Sequence, residues 1–217
     1  MSPYRPVAGK SLKRKVETRR PRRTFVIFCE GERTEPEYFN ALKREPEVRD
    51  AAAVDIRVEA GASGSVPLTL VRLAIEARSR SSDERGEVDE FWCVFDVEWP
   101  RNHPRLREAM ELAAQNQIKV AVSNPCFELW LALHFADHRS FLSNTQARRL
   151  RRSHDGQSDK GLAGGKYMPN KKVAAQRAAS LDRYHLGNGT SFPHNNPSSG
   201  MHQLLSAMLP ASDEERD

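Results

Sequence analysis

Residues 25–31, Phe-Val-Ile-Phe-Cys-Glu-Gly, constrain this chain more than any other stretch. The run is apolar, β-branched and aromatic, with the length of a buried strand. Glu30-Gly31 stops it sharply. Thr34 then fits a helix N-cap, Pro36 fits the first helical turn, and Glu37 puts negative charge where the helix dipole favours it. A strand therefore delivers Glu30 to its C-terminal end, followed by a tight turn and a helix. In open α/β sheets, ligand and catalytic groups gather at that edge.

A second apolar run, Phe91-Trp92-Cys93-Val94-Phe95, ends in Asp96-Val97-Glu98. Strand periodicity predicts Asp96 and Glu98 on one side of an extended chain. Paired carboxylates at a strand end suit Mg2+ or Mn2+, which take carboxylate oxygens together with water and substrate phosphate.

The pattern along the chain alternates strands and helices. Helices are expected over about 35–44, ended by Pro46, and over 67–80, 106–115, 171–184 and 201–209. Strands are expected at 25–29, 54–58, 91–95 and 118–122. The segment Gly61-Ala62-Ser63-Gly64-Ser65 reads as a plain connection or a backbone cradle for phosphate, without the Gly-Lys-Ser/Thr of a P-loop. Such alternation implies α/β architecture, a mainly parallel sheet flanked by helices with a C-terminal helical extension. Both acidic strand ends would then share an edge.

Ser123-Asn124-Pro125 reads as a turn and helix start. The helix after it is apolar enough for packing to be its main role. Glu128, in its first turn, either joins the acidic site or holds a basic partner. His134 reads as a satisfied core or rim histidine. Residues 139–165 are polar, with Arg148, Arg149, Arg151 and Arg152 lining a groove or forming a solvated face. Lys166, Lys171 and Lys172 are candidates to neutralise phosphate oxygens opposite the metal, or ordinary surface lysines.

Charge divides the chain of 217 residues unevenly. Residues 1–24 carry nine Lys/Arg against Glu17, a net +8, which leaves −3 for the rest of a chain whose total is +5. Lys13, Arg14, Lys15, Arg19, Arg20, Arg22 and Arg23 form a basic arm, read either as a nucleic-acid contact or as a solvated, disordered leader. The expected organisation is this tail at 1–24, an α/β core at 25–122 and a helical part at 123–217 packed on it. Cys29, Cys93 and Cys126 form no C-x-x-C pair, which argues for reduced thiols in a cytoplasmic protein. No apolar run is long enough to span a bilayer, and no secretory leader is evident.

Four segments together resemble the RloB-like family: Cys29-Glu30-Gly31-Glu32-Arg33-Thr34-Glu35 with Tyr38-Phe39; Phe95-Asp96-Val97-Glu98; Ser123-Asn124-Pro125-Cys126-Phe127-Glu128-Leu129-Trp130 with His134-Phe135; and Asn196-Pro197-Ser198-Ser199. They run in order over nearly the whole chain after the tail. The resemblance implies a Toprim-like fold and a prokaryotic setting linked to restriction–modification loci, phage defence and abortive infection. It places Glu30 at the first acidic position and Asp96 with Glu98 at the second, where Glu98 replaces the Asp of an Asp-x-Asp pattern.

The expected activity is metal-dependent hydrolysis of DNA or RNA. Glu30, Asp96, Glu98 and Glu128 are the candidate metal ligands. Glu30, Lys166 and Lys171 are the candidate catalytic groups. Arg148 and Arg149 join the tail as candidate nucleic-acid contacts. The alternative is a non-catalytic module that binds nucleic acid or a partner defence protein through the same pocket. A phosphoryl or nucleotidyl transferase ranks third, since no zinc-binding region accompanies the acidic pattern.

Overall fold

A computed structural model describes residues 22–58, 67–83, 88–157 and 161–209. Lys13, Arg14, Lys15, Arg19 and Arg20, and the Gly61–Ser65 segment, lie outside the described residues.

Five strands make one sheet: β1 (Arg23–Cys29), β2 (Ala52–Val58), β3 (Glu90–Asp96), β4 (Lys119–Asn124) and β5 (Ser198–Ser199). Their order is β2-β1-β3-β4-β5. The first four are parallel, with Phe25 beside Val54 and Glu90, and Asp96 beside Ser123. β5 runs antiparallel to β4. The sheet is therefore mixed but mostly parallel.

Eight α-helices accompany the sheet among the described residues: α1 (Thr34–Leu42), α2 (Pro46–Ala51), α3 (Pro67–Asp83), α4 (Leu106–Gln115), α5 (Phe127–Leu133), α6 (Asn144–Asp155), α7 (Lys171–Gly187) and α8 (Met201–Met208). Two layers follow from strand alternation. Phe25, Ile27 and Cys29 of β1 face a core shared with α1, α5, α7 and α8, where Tyr38, Trp130, Leu181 and Leu204 are buried. Val26 and Phe28 face the other core, built with Leu70, Val71 and Ala74 of α3 and Ala109 and Ala113 of α4. Because β1 and β3 are covered on both faces, their sequences are apolar throughout rather than alternating.

Three elements depart from the expected pattern. α1 ends at Leu42, ahead of Pro46, which instead opens α2, as a residue lacking an N–H can at a first helical turn. The polar stretch after 139 holds a full helix, α6, started by a capping box between Ser143 and Gln146. The Asn196-Pro197-Ser198-Ser199 segment contains β5, whose two serines carry no hydrophobic period to reveal them. The division expected after residue 122 falls inside β4, and helices from both sides of that point share one core.

No helix of the described residues is long and apolar enough to cross a membrane. His134 sits in the core. Its Nδ1–H donates to the Trp130 carbonyl at 2.9 Å, leaving Nε2 to accept the Tyr38 hydroxyl at 3.2 Å.

Candidate functional site: carboxylates at the strand ends

The parallel register brings the C-terminal ends of β1, β3 and β4 together. Glu30 continues β1 and donates its N–H to the Val94 carbonyl at 3.1 Å. Its Oε2 accepts the backbone N–H of Asp96 at 3.2 Å. After Asp96 the chain turns over the end of β4, with Val97 N–H donating to the Ser123 carbonyl and Glu98 N–H to that of Pro125, both at 2.9 Å. β4 in turn leads into α5, whose first turn carries Glu128.

Asp96, Cys126 and Glu128 each offer an atom within 4.8 Å of the others. Asp96 Oδ1 is enclosed and has no hydrogen-bond partner. Glu35 joins from the first turn of α1, folding its carboxylate back over Gly31. A Cβ at Gly31 would overlap the Glu35 carboxylate, which would have to swing out of this position to make room.

Like charges crowded in a partly enclosed corner disfavour ionisation. Burial, then the charges of Glu128 and Glu30, push the Glu35 carboxyl up to about 7, against opposing backbone N–H groups of Glu35 and Gly31. Burial also holds Asp96 well above the usual carboxylate range, with Glu35, Glu30 and Glu128 adding to the effect. The Cys126 thiol is raised by burial and by Glu128 and Asp96, and so stays neutral.

Two basic groups touch this corner. His103 Nε2 lies 2.7 Å from Glu30 Oε1, as an ion-pair contact rather than a well-aligned hydrogen bond, and 3.7 Å from Glu98 Oε2. The Glu30 carboxylate raises the imidazole's pKa, against partial burial. Arg148 Nε lies 3.7 Å from Glu128 Oε1, with its side chain about half exposed (48%).

The donor chemistry fits a hard divalent cation. Asp96 and Glu128 supply close carboxylate oxygens, one of them unpartnered, and Glu30 and Glu35 surround them. A buried neutral thiol is a poor donor to Mg2+, so Cys126 adds packing rather than a ligand to such an ion.

The site differs from the sequence expectation in its partners. Glu98 does not extend the strand alternation beyond Asp96, because β3 ends there and Glu98 has φ +61°. Its carboxylate meets His103 instead, while the group beside Asp96 is Glu128. Lys171 is not brought to this corner. Its Nζ sits 2.8 Å from Glu45 and 3.0 Å from Glu47, beyond the far end of α1. Lys172 pairs with Glu47 at 2.7 Å. Lys166 Nζ donates to the Asp155 carbonyl at 2.6 Å.

Arg22 and Arg23 precede or open β1, at the sheet edge opposite Glu30. Arg22 donates to the Arg49 carbonyl, and Arg23 contacts Glu90 and the Ala207 carbonyl. Arg149 is exposed on α6. Arg151 is buried against Asp155 and Tyr167, a packing role rather than a groove.

Sequence reasoning passed over Glu35, His103 and Cys126 as members of this corner. Glu35 carried a usable signal, since it closes the Glu-Gly-x-x-Thr-Glu segment, and Cys126 lies within Ser-Asn-Pro-Cys-Phe-Glu. His103 stands in an irregular proline-flanked segment with no pattern around it.

The two other resembling segments meet in space. Ser123 and Asn124 pair with Ser199 and Ser198, and the Ser123 and Ser199 hydroxyls are 3.1 Å apart. Gly200 follows, where a Cβ would lie 3.1 Å from the Val122 nitrogen. Neither the curated proteins nor the solved structures gave a match to the chain. A family profile, described as RloB-like protein, matches residues 25–208 and so covers all four segments. The chain belongs to the RloB-like protein family.

Proposed function

We propose that the carboxylate corner is the active centre of a divalent-metal-dependent phosphodiesterase acting on DNA or RNA, in a role linked to antiviral defence. The observation that carries this reading is Asp96 Oδ1, enclosed and unpartnered beside Glu128 and held under the fields of Glu30 and Glu35. The crowded carboxylates disfavour one another's charge despite His103 and Arg148, and a bound cation would relieve that cost.

Asp96 and Glu128 would hold Mg2+ or Mn2+, with Glu30 as a further ligand. The ion, when bound, supplies Lewis-acid polarisation of a phosphate and a lowered pKa for a coordinated water. Glu30, tied to the Asp96 N–H and to His103, is placed to orient a water or accept its proton. Arg148, half exposed beside Glu128, is placed to receive the phosphate's negative charge. Arg148 takes this role in preference to Lys171, whose ammonium is engaged by Glu45 and Glu47.

The test is cleavage of labelled single- and double-stranded DNA and RNA in EDTA, Mg2+ or Mn2+, with Glu30→Gln and Asp96→Asn in parallel. The reading expects products only with metal and at least a hundredfold loss in either variant, on the scale of losing a principal catalytic electrostatic group. Equal cleavage by both variants would remove it.

A further inference from the structure

Large apolar side chains are usually withdrawn from water, yet Trp99 and Phe141 are 39% and 54% exposed. They touch each other edge to face, with ring centroids 5.3 Å apart. Trp99 directly follows Glu98, whose carboxylate lies 3.7 Å from the His103 Nε2 that sits 2.7 Å from Glu30, so the aromatic pair stands at the rim of the carboxylate corner.

The pair is held in place by its backbone. Trp99 N–H donates to Asn144 Oδ1 at 3.0 Å, and Asn144 N–H returns to the Trp99 carbonyl at 3.3 Å. Leu142, beside Phe141, is clamped both ways by the Asn196 amide, at 3.0 Å through its N–H and 2.8 Å through its carbonyl. Ser143 closes the α6 capping box next in line. Asn144 and Arg148 are four residues apart on α6, hence on one helix face. That face carries the Trp99 clamp at one end and the Arg148–Glu128 contact one turn on. Arg101, two residues after Trp99 in the chain, is exposed.

We infer that Trp99 and Phe141 form a stacking platform for an unstacked base, so that the substrate is a single-stranded nucleic acid whose neighbouring phosphate lies between Arg148 and the carboxylate corner. This inference rests on the nucleic-acid reading of that corner. Aromatic faces take any base of a single strand, whereas bases within a duplex are already stacked on their neighbours. The charge arrangement suits the same ligand: aromatic rings for the base, with Arg101 and Arg148 for the backbone. The pinned loop lowers the ordering cost of binding.

The test measures binding, not turnover. Fluorescein-labelled single-stranded and duplex oligonucleotides of one sequence, as DNA and RNA, are titrated with the full-length protein in Ca2+. Single strands should bind more tightly than duplex. Trp99→Ala and Phe141→Ala should each weaken single-strand binding about 5- to 100-fold, with duplex binding within about twofold and an unchanged melting temperature. Trp99 also gives a direct signal, because Trp92 and Trp130 are buried. Unlabelled single strands should quench tryptophan emission in the wild type, and Trp99→Phe should keep most of the affinity while losing the quench.

Undiminished binding by both alanine variants would overturn the platform, as would binding without quench or no oligonucleotide binding by the wild type. A change in self-association in sedimentation, with oligonucleotide binding unaltered, would assign the aromatic pair to a second copy of the chain instead. Failure of the hydrolase reading looks different. Platform-dependent binding without cleavage in Mg2+ keeps the platform and removes the hydrolase. Metal-dependent cleavage of single strands that is unaffected in Trp99→Ala and Phe141→Ala does the reverse.

Discussion

Glu30 Oε2 accepts the backbone N–H of Asp96 at 3.2 Å, which ties the ends of β1 and β3 through one of the site's own carboxylates. The bond holds the Asp96 backbone beside Glu30, while the Asp96 Oδ1 itself has no hydrogen-bond partner. Two strands widely separated in sequence are thereby joined at the point where acidic charge is most concentrated.

Asp96→Asn should stabilise the metal-free protein. It removes a charge that burial and three neighbouring carboxylates disfavour. The expected gain in EDTA is about 1–2 kcal/mol. With saturating Mn2+ the order should reverse, because the wild type gains binding free energy that the variant cannot. Melting temperatures in the two conditions check both signs.

Glu35 should give the metal-free protein a descending stability profile. Its folded value of about 7 lies above an ordinary 4.5. Between those values the folded state keeps a proton that the unfolded chain has released, so stability falls as pH rises through the window. The contribution is fully present below about 4.5 and is lost once pH passes about 7, with an upper size of about 3 kcal/mol. Urea unfolding in EDTA from pH 4.5 to 8 should show a slope that Glu35→Gln flattens.

His134 should act in the opposite direction on the acid side. Burial lowers its value from 6.5 to about 4, outweighing the Trp130 and Leu131 backbone contacts. Below 6.5 the unfolded chain takes up a proton that the folded ring refuses, so stability falls as pH falls towards 4. Histidine NMR should find the His134 ring neutral at pH 5.5, with the proton on Nδ1, and a ring protonated there would contradict the packing.

The contrast between legible and hidden parts follows from the range of each interaction. β1 and β3 were readable because strands covered on both faces are apolar without interruption, and Glu30 and Asp96 were readable as the first charges after those runs. Glu128 was readable because a helix beginning at a strand end carries its first turn to the same edge. Glu35 carried a signal only through the Glu-Gly-x-x-Thr-Glu spacing, since by its place alone it looks like any acid in a first helical turn. Glu98 was misjudged in orientation because the strand alternation stops at Asp96, two residues before it. The destination of Lys171 depends on Glu45 and Glu47, far away in sequence. β5 and the Asn196 clamp are made of polar residues, whose backbone hydrogen bonds leave no periodic trace.

Lys171→Ala should cost stability and spare the active centre. Its ammonium joins α7 to Glu45 and Glu47, and burial opposes its raised pKa less than those two carboxylates support it. The expected loss is about 1–2 kcal/mol, with Mn2+ affinity within about twofold of wild type. Arg148→Ala should do the reverse, leaving the melting temperature nearly unchanged and lowering cleavage at least tenfold.

The most direct measurement of the central claim is a calorimetric titration of Mn2+ into metal-free protein, with Asp96→Asn and Glu128→Gln alongside. The carboxylate centre predicts saturable binding by the wild type and at least a tenfold weaker affinity in each variant, with both variants folded. Equal affinity in all three proteins, or no binding by a folded wild type, would contradict it.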